Sequence, residues 1–195
     1  HDALLRTFDK YWEHALEPRE YTPYEWRIVG SLIRLGEKDR ALRLAHRFLH
    51  DQRPAAWNEW AEVVRPDPRK PGFIGDMPHT WVGSDFIRSM LDLFAYENDD
   101  GSLVIAAGID EAWLDDGVTI DKLSTHYGPL GYSMRRSGDS VTIDFTRAPS
   151  PPGGVIVRSP RAAAIRSATA DGQPAETQTN EIRLPRVPRS LVIRY

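Results

Sequence analysis

Arg53-Pro54-Ala55-Ala56-Trp57-Asn58-Glu59-Trp60-Ala61-Glu62 is followed by a Pro-rich bridge and then by Gly75-Asp76-Met77-Pro78-His79-Thr80-Trp81-Val82-Gly83-Ser84-Asp85-Phe86. This stretch lies where a helical half of the chain gives way to a β half, so its reading decides the fold. Ordinary connectors carry Gly, Pro and small polar residues. This one also holds three of the six tryptophans, Trp57, Trp60 and Trp81, with Asn58, Glu59, Glu62, Asp76 and His79. Indoles, carboxylates and an imidazole are the side chains from which sugar sites are built.

On its N-terminal side the pattern is helical. Leu4, Leu5, Phe8, Tyr11, Trp12 and Ala15 fall on one stripe and predict an amphipathic helix over 2–16, capped by Asp2 and closed by Pro18. A second helix starts near Thr22-Pro23 and stops at Gly36; a third covers about 37–51. The short turn between these two predicts an antiparallel helical hairpin. Arg53-Pro54 breaks the pattern, and a short helix is expected over Trp57–Val64. A fourth long helix is expected over about 80–96.

On the C-terminal side, beyond Asn98-Asp99-Asp100-Gly101, the alternation predicts strands at 102–107, 118–123, 131–136, 141–146, 154–158, 163–168, 181–184 and 190–195. Gly138-Asp139 and Asp171-Gly172 sit where hairpin turns are needed, and one helical turn is expected within 109–116. The expected class is therefore α+β with segregated parts: helical hairpins over 1–98, then an antiparallel β-sandwich over 99–195.

Composition narrows the function. The 41% hydrophobic and 10% aromatic content suffices for a packed core. A net charge of −3, from 25 basic and 28 acidic residues, argues against a nucleic-acid or membrane-surface binder. Residues 99–121 hold seven acids and no base, while 122–195 hold eleven bases and five acids, which reads as solvated strand faces. The absence of cysteine excludes disulfides, thiolate metal sites and a Cys nucleophile. No apolar run approaches the roughly 20 residues that span a bilayer. The start at His1, with a helix already under way by Leu4, is expected of a processed or truncated piece of a longer polypeptide.

Three motifs are weighed for chemistry. On a helix, Trp57 and Trp60 would share a face and Glu62 would join Glu59. The indoles then serve as platforms for sugar rings while Glu59, Glu62 and Asn58 grip hydroxyls; equally, the pair can be core tryptophans with a capping Glu. Glycoside hydrolysis needs two carboxyls, one protonating the leaving oxygen and one activating water or attacking. Asp76-Met77-Pro78-His79-Thr80-Trp81 places His79 at a helix start, for a hydroxyl or for holding a carboxylate, or for structure alone. His126-Tyr127-Gly128-Pro129-Leu130-Gly131 reads as a chain reversal. No metal is expected, because His46 and His50 stand one helical turn apart without a third ligand. No cofactor is expected either, since no phosphate-binding loop or nucleotide fingerprint is present.

Helical hairpins, a Trp/Glu-rich loop, Pro-His-x-Trp opening a last helix and then a β-sandwich together resemble the end of a six-hairpin glycosidase. Such enzymes have an (α/α)6 toroid with a small β domain, and the α-L-rhamnosidase type is the nearest likeness. The counterparts here of its Trp-Glu-x-Trp and Asn-His-aromatic segments are Trp57-Asn58-Glu59-Trp60 and Pro78-His79-Thr80-Trp81. The resemblance implies the C-terminal part of a glycoside hydrolase acting on plant or microbial oligo- or polysaccharide. It implies Glu59 as general base with Glu62 in reserve, and a sugar subsite of Trp57, Asn58, Trp60, Asp76, His79 and Trp81. Asn58 stands in the slot of the family's carboxylate, and Glu59 falls one residue later, about 100° around a helix. The chain has too few long helices for a whole toroid, so the acid should lie upstream, and this polypeptide alone should cleave no glycoside. The implied partners are carbohydrate, the remainder of a longer polypeptide, and further copies of itself through apolar helix faces left open. A periplasmic or extracellular location is implied. The competing reading, from a different class, is a non-catalytic carbohydrate-binding or scaffold module whose sandwich carries the binding face.

Overall fold

The computed structural model describes residues 2–52 and 55–195, with only the backbone of Asp2, Leu4 and Ala55. The cap expected at Asp2 and the break expected at Arg53-Pro54 lie outside the described residues. The chain divides into two compact units, His1–Asp92 and Leu93–Tyr195.

The first unit is helical. Helix α1 spans Asp2–Ala15, α2 Trp26–Leu35 and α3 Lys38–Asp51, and α4, Thr80–Phe94, begins in this unit. A 3-10 turn over Pro23–Glu25 leads into α2, with the Thr22 hydroxyl accepting from the Tyr24 N–H. Gly36 ends α2 at φ 84, with Gly36 N–H donating to Ile33 O and Glu37 N–H to Leu32 O. This is the Schellman arrangement that a left-handed glycine permits. It reverses the chain into α3, giving the expected hairpin. Trp26, Val29, Leu32 and Ile33 of α2 bury against Leu44, Ala45 and Phe48 of α3. Trp26 is fully buried and makes edge contacts with Phe48 at 5.3 Å, Trp60 at 5.5 Å and Phe86 at 4.9 Å.

The helix expected over Trp57–Val64 does not form. A 3-10 turn covers Ala55–Trp57, and Asn58 then adopts φ 52. Asn tolerates that left-handed conformation better than most residues, and a helix cannot continue through it. The chain runs on extended. Tyr21 and Val64 exchange backbone hydrogen bonds of 3.0 and 2.9 Å, Glu62 N–H donates to Asp76 O at 3.2 Å and Val63 N–H to Ile74 O at 3.1 Å. Extended pairing thus satisfies backbone groups that a helix would have satisfied internally.

In the second unit α4 ends at Phe94, and the chain turns at once into a strand, β1 (Ala95–Glu97), where helix was expected. Strand β1 pairs with β2 (Leu103–Ile105) across a tight turn with Gly101 at φ 79 and Asp100 Oδ1 accepting from Ser102 N–H at 2.9 Å. A short helix α5, Trp113–Asp116, precedes β3 (Val118–Thr125), β4 (Gly128–Ser137) and β5 (Ser140–Arg147). Then come β6 (Val155–Arg158), β7 (Ser167–Ala170), β8 (Gln173–Pro174), β9 (Glu181–Leu184) and β10 (Ser190–Arg194). The Asp171-Gly172 turn has φ 50 and 79, the double positive φ of a tight hairpin turn, and joins β7 to β8.

Two sheets result, ordered β1-β2-β6-β9 and β3-β4-β5-β10-β7-β8. The six-stranded sheet is antiparallel throughout; the four-stranded sheet is not, because β2 and β6 run parallel. The wholly antiparallel expectation is corrected there: a long connection between β2 and β6 lets them run in one direction. Leu103, Ile105, Val155, Val157 and Ile182 from one sheet share a buried cluster with Tyr132, Met134, Ile143, Leu191 and Ile193 from the other. Alternation along β4, β5 and β10 sends these residues inward, whereas in the four-stranded sheet Val104 of β2 and Ile156 of β6 are buried along with their neighbours.

Candidate functional site

The site lies on the first unit, where the start of α4 meets the extended segments on either side of the bridge. His79 immediately precedes α4, and its N–H donates to Trp60 O at 2.8 Å. Its ring is nearly buried, with 12% of the side chain exposed, and Nε2 lies 2.5 Å from Tyr24 Oη. On the other side Nδ1 faces an Asp76 carboxylate oxygen at 3.9 Å. The Tyr24 ring meets the imidazole edge-on at 5.3 Å, and the Arg27 guanidinium lies 5.1 Å from the Tyr24 ring centre while binding Asp85 at 2.6 Å. The indole of Trp81, 71% exposed, sits edge-on to His79 at 6.1 Å.

Desolvation raises the Tyr24 phenol above the ordinary tyrosine value, and the Glu62 carboxylate is the largest charge pushing the same way. Arg27 opposes this, and Asp85 and Asp76 add to it. The phenol therefore stays protonated. It donates to Nε2 when the imidazole carries its proton on Nδ1, which turns that N–H toward Asp76. The Glu62 side chain lies directly against Gly75: a Cβ at Gly75, where φ is 66, would come within 2.2 Å of Glu62 Oε2. The outcome is a phenol, imidazole and two carboxylates beside an open indole face. Such a set can hold or relay a proton and can bind neighbouring hydroxyls.

The expected residues separate. His79, Asp76 and Trp81 are brought together, and Glu62 joins them through Tyr24. Trp60 does not: it is 5% exposed and packs on Trp26 and Phe86, so its faces are spent in the core. Trp57 is 64% exposed and Asn58 lies on the surface beside it. With no helix through them, Trp57 and Trp60 share no helical face. Glu59 is half-buried, and its backbone carbonyl accepts from Gln52 Nε2 at 3.2 Å. Glu62 is thus the carboxylate whose charge reaches the Tyr24–His79 pair, ahead of Glu59.

Tyr24, Arg27 and Gly75 were missed from sequence. Tyr24 lies 55 residues from His79, and only its place just after the Thr22-Pro23 helix start marks it as held in position. Val63, the neighbour of Glu62 in an extended segment, points the other way. It lines an apolar pocket of about 400 Å³ with Ile74, Met77, Pro68, Pro71 and Arg65. Among the described residues no group of three metal-ligating side chains occurs, and no helix is long and apolar enough to cross a membrane. The His126-Tyr127 segment is a two-residue turn between β3 and β4, closed by Thr125 Oγ1 donating to Gly128 O at 2.6 Å.

No protein-family model matches the sequence, and no curated protein matches it. Among solved structures, an alpha-L-rhamnosidase from Dictyoglumus thermophilum shows a weak likeness, with a TM-score of 0.37 and 7% identity over 67% of this chain. The chain spans 16% of the length of that enzyme.

Proposed function

We propose that the chain is the C-terminal portion of a glycoside hydrolase-like protein, with a carbohydrate subsite built on Trp81, His79, Tyr24, Asp76 and Glu62. The observation that carries this reading is the exposed Trp81 indole standing beside the Tyr24–His79–Asp76 line. A sugar ring offers an apolar C–H face to an indole, and its neighbouring hydroxyls need paired donors and acceptors. In this reading the helical unit is part of an (α/α)6 toroid and the two sheets form a β-sandwich. Glu62 replaces Glu59 as the leading base, and Trp57 with Asn58 extends the subsite along the surface. The acid that glycoside cleavage also requires comes from the rest of a longer, periplasmic or extracellular polypeptide. The purified chain is then inert towards aryl glycosides, and robust turnover would contradict the division of labour. Ile87 and Leu91, one turn apart and both exposed on α4, give an apolar stripe through which such a chain self-associates.

The test is a tryptophan-fluorescence titration of the chain with neutral monosaccharides, L-rhamnose among them. Saturable quenching is expected with at least one sugar, lost in Trp81→Ala and weakened in His79→Ala. No response to any sugar, or unchanged binding by Trp81→Ala, would overturn the reading.

A further inference from the structure

We propose that the solvent face of the six-stranded sheet carries a second binding site, in the other unit, for a neutral polyhydroxylated ligand of mono- or disaccharide size. A trough of about 390 Å³ lies over β3, β4 and β5, within the range of small-ligand sites. Its residues fall on two adjacent cross-strand rows. Thr119 on β3 pairs with Ser133 on β4, Ser133 with Asp144 on β5, and Asp144 with Ser190 on β10. In the next row Arg135 pairs with Thr142. All of these side chains point away from the core, because Met134 and Ile143 between them point into it.

Its charged groups are of opposite sign, and Arg135 and Asp144, though exposed, each hold a hydrogen bond within the face. At one end α5 runs out at Asp116, and Gly117 at φ 86 brings the backbone against Arg135. A Cβ at Gly117 would lie 3.3 Å from Arg135 Nη2, which donates to Asp116 O at 3.1 Å. At the other end Ser190 Oγ donates to Asp144 Oδ1 at 2.7 Å and sets that carboxylate. Between them lie the hydroxyls of Ser133, Thr142 and Thr119.

This arrangement selects its ligand by charge and by hydrogen-bonding sense. An anion would meet the Asp144 carboxylate and a cation the Arg135 guanidinium. A neutral molecule that donates and accepts at neighbouring positions is served at both ends and by the hydroxyl floor. Groups already oriented before binding lose less freedom when the ligand arrives. The trough shares no residue with the Trp81 subsite.

The experiment is an NMR titration of the full ¹⁵N-labelled chain with neutral monosaccharides and disaccharides, with inorganic phosphate and a primary amine as charged probes. Saturable shifts are expected at the amides of Ser133, Arg135, Thr142 and Asp144 with at least one sugar and with neither charged probe. Asp144→Asn and Thr142→Val, both on the exposed face, should each weaken this binding roughly tenfold or more while leaving the spectrum of the free protein otherwise unchanged. The proposal is overturned by the absence of sugar-dependent shifts in the trough, by a preference for either charged probe, or by both variants binding as the parent does. Shifts at Trp81 and His79 in the same spectra report separately on the other site.

Discussion

Trp60 and Trp57, three positions apart, have opposite fates, and the difference is measurable. Trp60 is 5% exposed and wedged between Trp26 and Phe86; Trp60→Ala should cost about 3 kcal/mol or more, read from chemical denaturation. Trp57 is 64% exposed, and Trp57→Ala should stay within about 0.5 kcal/mol. Equal costs would contradict the packing described. The residue types of the site were legible in the sequence: the indoles, the carboxylates and the imidazole are those of the bridge. Their destinations were not. A shared face for Trp57 and Trp60 assumes helical dihedrals through Asn58, and its φ of 52 removes that assumption. Tyr24 escaped notice because no local pattern announces a contact with a residue 55 positions away.

The elements that carry their own punctuation were the readable ones. Gly36 closes α2 and Asp171-Gly172 closes the β7–β8 hairpin, each with the positive φ that its residue type tolerates. Gly36→Ala should cost roughly 1 kcal/mol, because a Cβ in the left-handed region is strained although nothing lies within 4 Å of it. Gly153→Ala should cost about 1–3 kcal/mol for a different reason. A Cβ there would meet backbone atoms of Ser102, Asp100 and Gly101 at 2.5 to 2.7 Å. Thermal or denaturant unfolding of the two variants checks both, and a neutral Gly153→Ala would contradict the close approach of these loops. Strand β1 was hidden because Ala95 and Tyr96 continue the apolar pattern of α4; only pairing with β2 makes Ala95–Glu97 a strand. Edge strand β8, two residues with a proline, is too short to leave a period.

Across the whole molecule helices come first and sheets follow, as the change of period suggests, but the first strand starts at Ala95, ahead of the expected change near Asn98. The parallel β2–β6 pair was beyond the sequence, because alternation reports which face is buried and not which strand is the neighbour. Burial also sets the pH behaviour of both units. Desolvation raises the phenols of Tyr11, Tyr21 and Tyr132 above the ordinary tyrosine value, and Tyr132 is buried with its O–H on Phe94 O at 3.2 Å. Folding favours their neutral form, so this stability is fully present below the unfolded tyrosine value of about 10 and falls as pH rises above it. Denaturant midpoints should hold steady up to roughly pH 9 and drop by pH 11. A midpoint unchanged over that range would contradict the burial of these groups.

The proposed seat for a sugar is the Trp81 indole beside His79. It is tested most directly by following the six tryptophan indole N–H resonances while neutral monosaccharides are added. The Trp81 signal should move saturably with at least one sugar while those of buried Trp26 and Trp60 stay still. A Trp81 resonance that never moves, or movement confined to the buried indoles, would contradict it.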